Sequence, residues 1–317
     1  MARYLGRRLL IAVPTLLALS FLIFLLVSNA PGDPAEEYAR KRSGSQEATA
    51  EDIARAKEEL GLNRPFFVQY GSWIKGMFTG DLGESFSKRR PVSDELAERI
   101  PATIELTAAA LLFMLVVGVP VGILAAMFHR HWSDQLFRFW ALLGASIPDF
   151  FLAYLLIIQL ATNMGLFPVA GRQGLASLVM PAVVIAVTPT AIISRLLRAS
   201  LLEVFTEDYM RTARSKGMGS VRVVLRHGLR NAAIPVTTYL GTALGSLLEG
   251  VVIAEFIFAW PGLGGLTVEA IHQRDYPVIQ AAVLLAGTIY LFTNLLVDVA
   301  YGLLDPRIRL EPDVEHV

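Results

Sequence analysis

A single acidic residue, Asp149, lies within an apolar stretch long enough to cross a membrane. A charge inside a bilayer is costly unless it is paired or hydrated, so an intramembrane acid commonly marks a transport path. Pro148 precedes it and lacks a backbone donor, so we expect the helix to break there and polar groups to gather around a cavity. Two interpretations of Asp149 stay open: it lines a path, or it caps a helix.

A second acid, Glu249, lies in another apolar stretch, close to Gly245 and Gly250. Small residues let helices approach closely, so this face is expected to pack against a neighbouring helix. Glu249 either lines the path or pairs with a buried polar group such as Gln159 or Asn294. Asp149 and Glu249 are therefore the candidate residues of a translocation path.

Motifs for catalysis and nucleotide binding are absent from the sequence. It contains no G-x-x-x-x-G-K-[ST], His-Glu-x-x-His or Gly-x-Ser-x-Gly pattern, and no Cys. His129 and His131 flank Arg130, but residues two apart on a helix point in different directions, so we assign them to lipid headgroup contacts. We predict no catalytic residue, no metal site and no cofactor bound by this chain.

A basic segment, residues 198–234, carries the signals of two short helices separated by a glycine. Thr206 is suited to cap the first helix, and Gly217 to end it, with acidic residues early and basic residues late, as the helix dipole favours. Glu207 and Arg211 have the spacing of an i,i+4 ion pair.

The second of these helices would begin at a Ser220 cap. On spacing alone, the segment is equally consistent with a basic loop that only sets membrane topology. The predicted apolar face of the second helix comprises Val221, Val224, Leu225 and Leu229.

Six stretches are apolar enough to be membrane helices, each of which needs about 20 such residues. Hydrophobic residues make up 54% of the chain and charged residues 18%, too apolar for an ordinary soluble domain. The first stretch has a signal peptide as its alternative, but its long apolar run favours a retained helix. The predicted spans are Leu9–Ser28, Thr107–Phe128, Phe139–Phe167, Leu175–Ile193, Ala232–Ala254 and Val278–Val297.

The distribution of Lys and Arg predicts that both termini are cytoplasmic. With that orientation, the short outer loops carry only Arg172 and Arg274, whereas the inner segments are basic. The predicted organisation is an N-terminal transmembrane helix (1–30), an extracytoplasmic insertion (31–101), a five-helix membrane core (102–305) that contains the basic cytoplasmic segment 198–234, and a cytoplasmic tail (306–317).

The insertion, residues 31–101, is predicted to be folded. Thr49 and Gly61 are suited to cap a helix over residues 50–60. An aromatic-rich stripe at helical spacing follows, and it fits either an interfacial helix or packing in the insertion's own core. The stripe comprises Phe66, Phe67, Tyr70, Trp73, Ile74, Met77 and Phe78.

Short motifs occur along the chain: 31–34 (PGDP), 80–83 (GDLG), 207–217 (EDYMRTARSKG), 227–235 (HGLRNAAIP), 257–264 (IFAWPGLG), 274–280 (RDYPVIQ) and 305–309 (DPRIR). Together they resemble ABC importer permeases, in the branch that serves dipeptides, oligopeptides, glutathione and nickel. The resemblance runs in order from residue 3 to residue 309. At the family's Glu-Ala-Ala signature this chain has Arg211, Thr212 and Ala213, so the Glu is absent, while Gly217 is kept.

This resemblance implies an all-α integral membrane fold with six transmembrane helices. It also implies an extracytoplasmic insertion after the first and a cytoplasmic coupling-helix loop between the fourth and fifth. The implied partners are a second homologous permease, two ATP-binding subunits that hold ATP and Mg, an extracytoplasmic substrate-binding protein and membrane lipids, with no nucleic acid. The implied ATPase-coupling residues are Phe205, Glu207, Tyr209, Arg211, Ala213 and Gly217.

The resulting functional hypothesis is a non-catalytic permease of the bacterial inner membrane that imports short peptides by alternating access. The same machinery carrying nickel, a metal chelate or glutathione is the alternative. The compact loop Gly165–Gly174 slightly favours the glutathione-like or nickel-like relatives over the dipeptide ones. A stand-alone secondary carrier or channel is the alternative from another class. It would predict inverted repeats and charged relays, which the sequence lacks. A membrane enzyme is disfavoured because no catalytic constellation occurs.

Overall fold

The computed structural model describes residues 2–44 and 47–304, and this part of the chain is almost entirely helical. One isolated antiparallel bridge joins Glu84 to Pro91. The predicted tail and the run at 305–309 lie outside the described residues. The helices are α1 (Ala2–Ser28), α2 (Pro34–Ser43), α3 (Ala50–Glu59), α4 (Phe66–Thr79), α5 (Val92–Met127), α6 (Trp132–Ser146), α7 (Asp149–Leu156), α8 (Leu175–Val204), α9 (Asp208–Ser215), α10 (Ser220–Val223), α11 (Leu229–Ile257), α12 (Leu263–His272) and α13 (Tyr276–Leu304). Two π-helical segments, Ile157–Asn163 and Val224–Gly228, follow α7 and α10.

Five stretches of the described chain are long and apolar enough to cross a membrane, which confirms an all-α integral membrane protein. They are Leu10–Ser28, Val92–Met127, Leu175–Val204, Ser220–Ile257 and Tyr276–Val297.

The predicted span Phe139–Phe167 is not one straight helix. Asp134–Ser146 and Asp149–Asn163 are each helical, and they meet at an angle of 105°. Ile147, at the break, has extended backbone angles (φ −84°, ψ 125°), as a residue before proline prefers. The break that Pro148 predicts is therefore present, and this bent pair of helices is the candidate for a sixth crossing.

One compact unit comprises residues 1–103 and 261–292. Within it, α2 and α3 pack as a small pair around buried Ala35, Ala39 and Ala56. The predicted caps of α3 are confirmed: the Thr49 hydroxyl accepts the Asp52 N–H at 3.2 Å, and Gly61 follows the helix with φ 65°. Local capping chemistry thus decides the bounds of this short helix.

The aromatic stripe on α4 packs largely against the first membrane helix. Phe24 of α1 lies 5.3 Å from Phe66 and 5.5 Å from Trp73 between ring centroids. The Tyr70 and Ser20 hydroxyls are 2.9 Å apart. Phe67 and Phe78, on the other side of α4, are exposed. Neither sequence interpretation named the apolar surface of α1 as the partner.

A buried carboxylate organises the loop before α5. Asp275, 2% exposed, accepts hydrogen bonds from the Ser85 hydroxyl at 2.6 Å and from the Phe86 and Ser87 N–H groups at 3.1 and 3.0 Å. Apolar residues of α5, α12 and α13, among them Leu96 and Leu266, form the adjoining core. Three donors on one carboxylate fix the loop firmly, because buried polar groups must be satisfied.

The other compact unit comprises, among the described residues, 104–260 and 293–304. Its central helix is α8, which packs closely on α5, α6 and α11 at glycines. Gly118 on α5 lies against Ile193, and Gly144 on α6 against Val187, with no room for a side chain at either glycine. Such close approach is the usual mode of helix packing in membranes.

Candidate functional site

The short helix α9 begins after Glu207, one residue later than the sequence predicts. Thr206 does not cap it: its hydroxyl donates to the Glu203 carbonyl at 2.7 Å. Gly217 ends the helix as predicted, with φ 78°. Glycine adopts this left-handed conformation without steric cost, so the chain can reverse there.

The inner face of α9 is anchored to its own chain. Met210, Ala213 and Val223 form a buried cluster, with the half-buried Val204, Phe205 and Met218 around it. Met210 is completely buried, and the Arg214 guanidinium lies 5.8 Å from the centroid of the Phe205 ring. This cluster connects α9 to the end of α8 and to α10.

The predicted coupling residues divide between two faces. Glu207, Tyr209 and Arg211 are exposed, as is Gly217. Tyr209 is 39% exposed and its hydroxyl accepts a hydrogen bond from Asn231 Nδ2 at 2.8 Å. Phe205 is half-buried.

Ala213 is one of the implied ATPase-coupling residues, but its side chain does not lie on the exposed surface of α9. It is 5% exposed and faces the chain's own cluster. The reason is periodicity, because Ala213 lies three residues after Met210 and so shares its face.

The predicted pair between Glu207 and Arg211 does not form. Arg211 instead lies 3.9 Å from Asp208, and both side chains are highly exposed. An ion pair so exposed contributes little to stability. The charges on this face are therefore left facing solvent.

The apolar face predicted for the second short helix is correct only in part. Val224 is buried and Leu229 half-buried as predicted, whereas Val221 and Leu225 are more than half exposed and Val223 is buried instead. Ser220 is the first residue of this helix and Gly219 its cap. A one-turn helix has too few residues for periodicity to decide its buried side. After it, the π-helical turn Val224–Gly228 leads directly into α11, so α10 and α11 are continuous.

The structure brings the two candidate path regions together on α7 and α11. The Asp149 carboxylate is half-buried in the first turn of α7 and lies 3.9 Å from the Cβ position of Gly250. No side-chain hydrogen bond caps α7, so the capping interpretation of Asp149 finds no support within the described chain. Glu249, next to Gly250, is exposed. Gln159, suggested as its partner, accepts a hydrogen bond from Asn163.

An ion-pair cluster between α6 and α8 was not anticipated from the sequence. Arg198 donates to both oxygens of Asp134, from Nε at 2.7 Å and from a terminal nitrogen at 2.6 Å, and Asp134 is 3% exposed. His129 Nδ1 lies 3.3 Å from Asp134, so His129 joins this cluster while its side chain stays 42% exposed. The partners are 64 residues apart, and no local pattern in the sequence joins them.

Glu255, near the end of α11, is also fully buried, and no motif or spacing identified it as a candidate residue. Within the described residues, no group of three or more His, Asp or Glu side chains has the arrangement of a metal site.

Two protein families together match nearly the whole chain. The binding-protein-dependent transport system inner membrane component matches residues 118–310, and its N-terminal counterpart matches residues 1–107. The chain belongs to this family. It is therefore the multi-pass inner-membrane permease of an ABC importer, as the motifs indicate, and a non-catalytic subunit that works with ATPase and binding-protein partners.

Similar proteins include the glutathione transport system permease protein GsiC of Escherichia coli (strain K12) and of Salmonella typhimurium (strain LT2). Each is 41% identical over 309 residues, which is 98% of this chain and 99% of the relative. Among solved structures, an inward-facing form of the MetNI methionine ABC transporter matches 66% of this chain and 96% of its own, with a TM-score of 0.56 and 19% identity. That likeness concerns the fold alone.

Proposed function

We propose that this permease imports glutathione or a short peptide of similar size. The observation that carries the proposal is the 41% identity, over the full length of both chains, to permeases named for glutathione transport. Glutathione is itself a tripeptide, so the proposal narrows the peptide hypothesis and makes nickel the less supported alternative.

The two faces of α9 support a role as the coupling helix. Its exposed face presents Glu207, Tyr209 and Arg211 for an ATPase subunit, while its buried face holds Met210 and Ala213. A helix anchored in this way moves as a rigid body, whereas a flexible loop would deform and would not transmit the movement. ATP and Mg are held by the partner subunits in this proposal.

Through the buried cluster, a movement of α9 would reach two other helices. One is the C-terminal end of α8, through Val204 and Phe205, and the other is α10, through Val223. Because α10 continues through a π-helical turn into α11, displacement of α9 would tilt both α8 and α11. Asp149 and Glu249 lie along α7 and α11, so the same tilt would change the surroundings of the proposed path.

The proposed assembly pairs this chain with a second, homologous permease and two ATPases, with both termini in the cytoplasm. Lys and Arg in the segment around α9 support that orientation. A binding protein on the opposite side delivers the substrate.

The test is uptake by the complete importer in proteoliposomes, with the binding protein outside and ATP inside. Labelled glutathione, a labelled dipeptide and nickel are compared. We expect saturable glutathione uptake that stops when ATP is replaced by a non-hydrolysable analogue. Preferential uptake of the dipeptide or of nickel would overturn the substrate assignment alone. Uptake by the isolated chain without ATPase subunits would contradict the coupling proposal.

A further inference from the structure

A cavity of about 440 Å³ lies between α6 and α8. It is separate from the exposed face of α9 and from Asp149 and Glu249. Its lining is unusual for a membrane helix pair because it is rich in guanidinium groups and contains no acid. The lining residues are Gln135, Arg138, Phe139, Leu142, Arg195 and Arg198.

Two of the three arginines carry charge that the described chain does not neutralise. Arg198 is occupied by its two hydrogen bonds to Asp134 and is only 17% exposed. Arg138 and Arg195 are exposed, and within residues 2–44 and 47–304 neither forms an ion pair with an acidic side chain. The cavity therefore presents an excess of about two positive charges, which favours an anionic group.

The polarity of the lining changes along α6. Gln135 and Arg138 come first, and Phe139 and Leu142 follow at the spacing of one helix face. Phe139 is 57% exposed and Leu142 59% exposed, and both belong to the bent membrane-spanning pair. A molecule that fits this surface carries an anionic group at one end and a hydrocarbon portion at the other.

We propose that this cavity binds the headgroup of an anionic phospholipid, with Arg138 and Arg195 on its phosphate and its acyl chains along Phe139 and Leu142. Guanidinium groups are well suited to phosphate because their planar donors match its oxygens. Basic pockets between membrane helices bind acidic lipid headgroups in the same way.

The arrangement also discriminates against zwitterionic lipids. An ethanolamine headgroup brings an ammonium group that needs an acceptor, and the nearby Asp134 is already used by Arg198. Arg138 belongs to α6 and Arg195 to α8, so one phosphate held by both would bridge the helices. Bound lipid would then reinforce the Asp134–Arg198 connection and stabilise the packing of α6 on α8.

The experiment uses the purified full-length chain in detergent. Native mass spectrometry measures binding of dioleoyl phosphatidylglycerol, dioleoyl phosphatidylethanolamine and, as a free phosphate source, glycerol phosphate. The test variant is Arg138→Gln combined with Arg195→Gln. The matched control is Arg222→Gln combined with Arg226→Gln, which removes two exposed charges outside the cavity.

We expect phosphatidylglycerol to bind and to raise the midpoint of thermal unfolding, with no comparable effect of the other two molecules. The Arg138/Arg195 variant should lose affinity by about tenfold or more, whereas the control keeps it. Replacing both arginines by Lys should restore most of the binding, which separates lost charge from misfolding.

Three outcomes would overturn the proposal. One is equal phosphatidylglycerol binding by the test and control variants. Another is equal binding of glycerol phosphate, which would indicate a free-phosphate site. The third is unchanged lipid binding together with loss of an ATPase subunit from the purified importer, which would make this surface a protein contact.

Discussion

The insertion and the coupling segment use charged residues in opposite ways. In the insertion, and in the loop before α13 that bonds to it, acids are buried and paired. Asp275 of that loop accepts three hydrogen bonds from the insertion, and Glu95 lies 2.8 Å from Lys88 and 3.2 Å from Arg90. On α9, Asp208 and Arg211 face solvent with only a long contact between them. Charges satisfied internally hold a fold together, whereas charges left exposed beside a buried apolar cluster are available to a partner.

The largest effect is expected where the buried carboxylate is removed. Asp275→Ala would leave the Ser85 hydroxyl and two N–H groups without their acceptor, and should lower the free energy of unfolding by about 3 kcal/mol. Thermal unfolding in detergent and limited proteolysis of the insertion measure this. Glu58→Ala, at an exposed position of α3, is the control. Equal behaviour of the two variants would contradict the role given to Asp275.

The buried side of α9 should respond next. Met210→Ala removes a fully buried side chain from the small cluster and should cost about 2 kcal/mol locally. Hydrogen exchange of α9 should accelerate, and ATP-driven uptake should fall because the helix no longer moves with α8. Thr212→Ala, on the exposed side, serves as control. Normal uptake and unchanged hydrogen exchange of α9 in the Met210→Ala variant would contradict the role of the buried cluster in coupling.

The exposed side of α9 should show the reverse pattern. Arg211→Ala should leave the free energy of unfolding within about 0.5 kcal/mol of its original value, because surface substitutions rarely matter more. Uptake should nevertheless fall roughly tenfold, equivalent to about 1.4 kcal/mol, if this side chain meets the ATPase. Affinity of the purified ATPase for the permease is the direct measurement. An unaltered affinity would exclude Arg211 from the contact.

A smaller change in uptake is expected from Glu249→Gln, which removes the charge and keeps the shape of the side chain. Membrane insertion should be intact, since burying an amide costs less than burying a carboxylate. The measurement is the rate of uptake as a function of substrate concentration, for the importer with Glu249 and for the one with Glu249→Gln. Identical transport kinetics would take Glu249 out of the proposed path.

The smallest effect concerns the ion pair at the start of α2. Burial raises the pKa of Asp33, but hydrogen bonds from Lys57 Nζ and the Ala35 N–H outweigh it and hold the pKa below its ordinary value. A lowered pKa in the folded state means that the stabilisation is present above the unfolded-state pKa of about 3.9 and is lost as pH falls through the folded value.

The pair is partly exposed, so less than about 1 kcal/mol is at stake. Proteolysis of the insertion at several pH values should show a weak destabilisation below about pH 4. Asp33→Asn should remove this dependence. A pH profile identical in both proteins would show that Asp33 is not its origin.

Several structural features could be predicted because their causes are local. A long apolar run needs only its own composition to become a membrane helix, and Pro148 breaks a helix wherever it stands. Thr49 and Gly61 bound α3, and Gly217 ends α9, because caps depend on neighbouring backbone groups. The order of motifs from residue 3 to residue 309 was enough to indicate the family, which the comparisons confirm.

Tertiary structure decided which side of each short element is buried and which distant charges meet. Ala213 and Val223 face inward because they share one buried cluster with Met210, and Arg198 meets Asp134 only because α6 and α8 lie side by side. In the same way, the packing of Phe66 and Trp73 of α4 against Phe24 of α1 follows from the tertiary structure alone. Periodicity and composition describe a helix by itself, whereas its neighbours depend on how the whole chain packs.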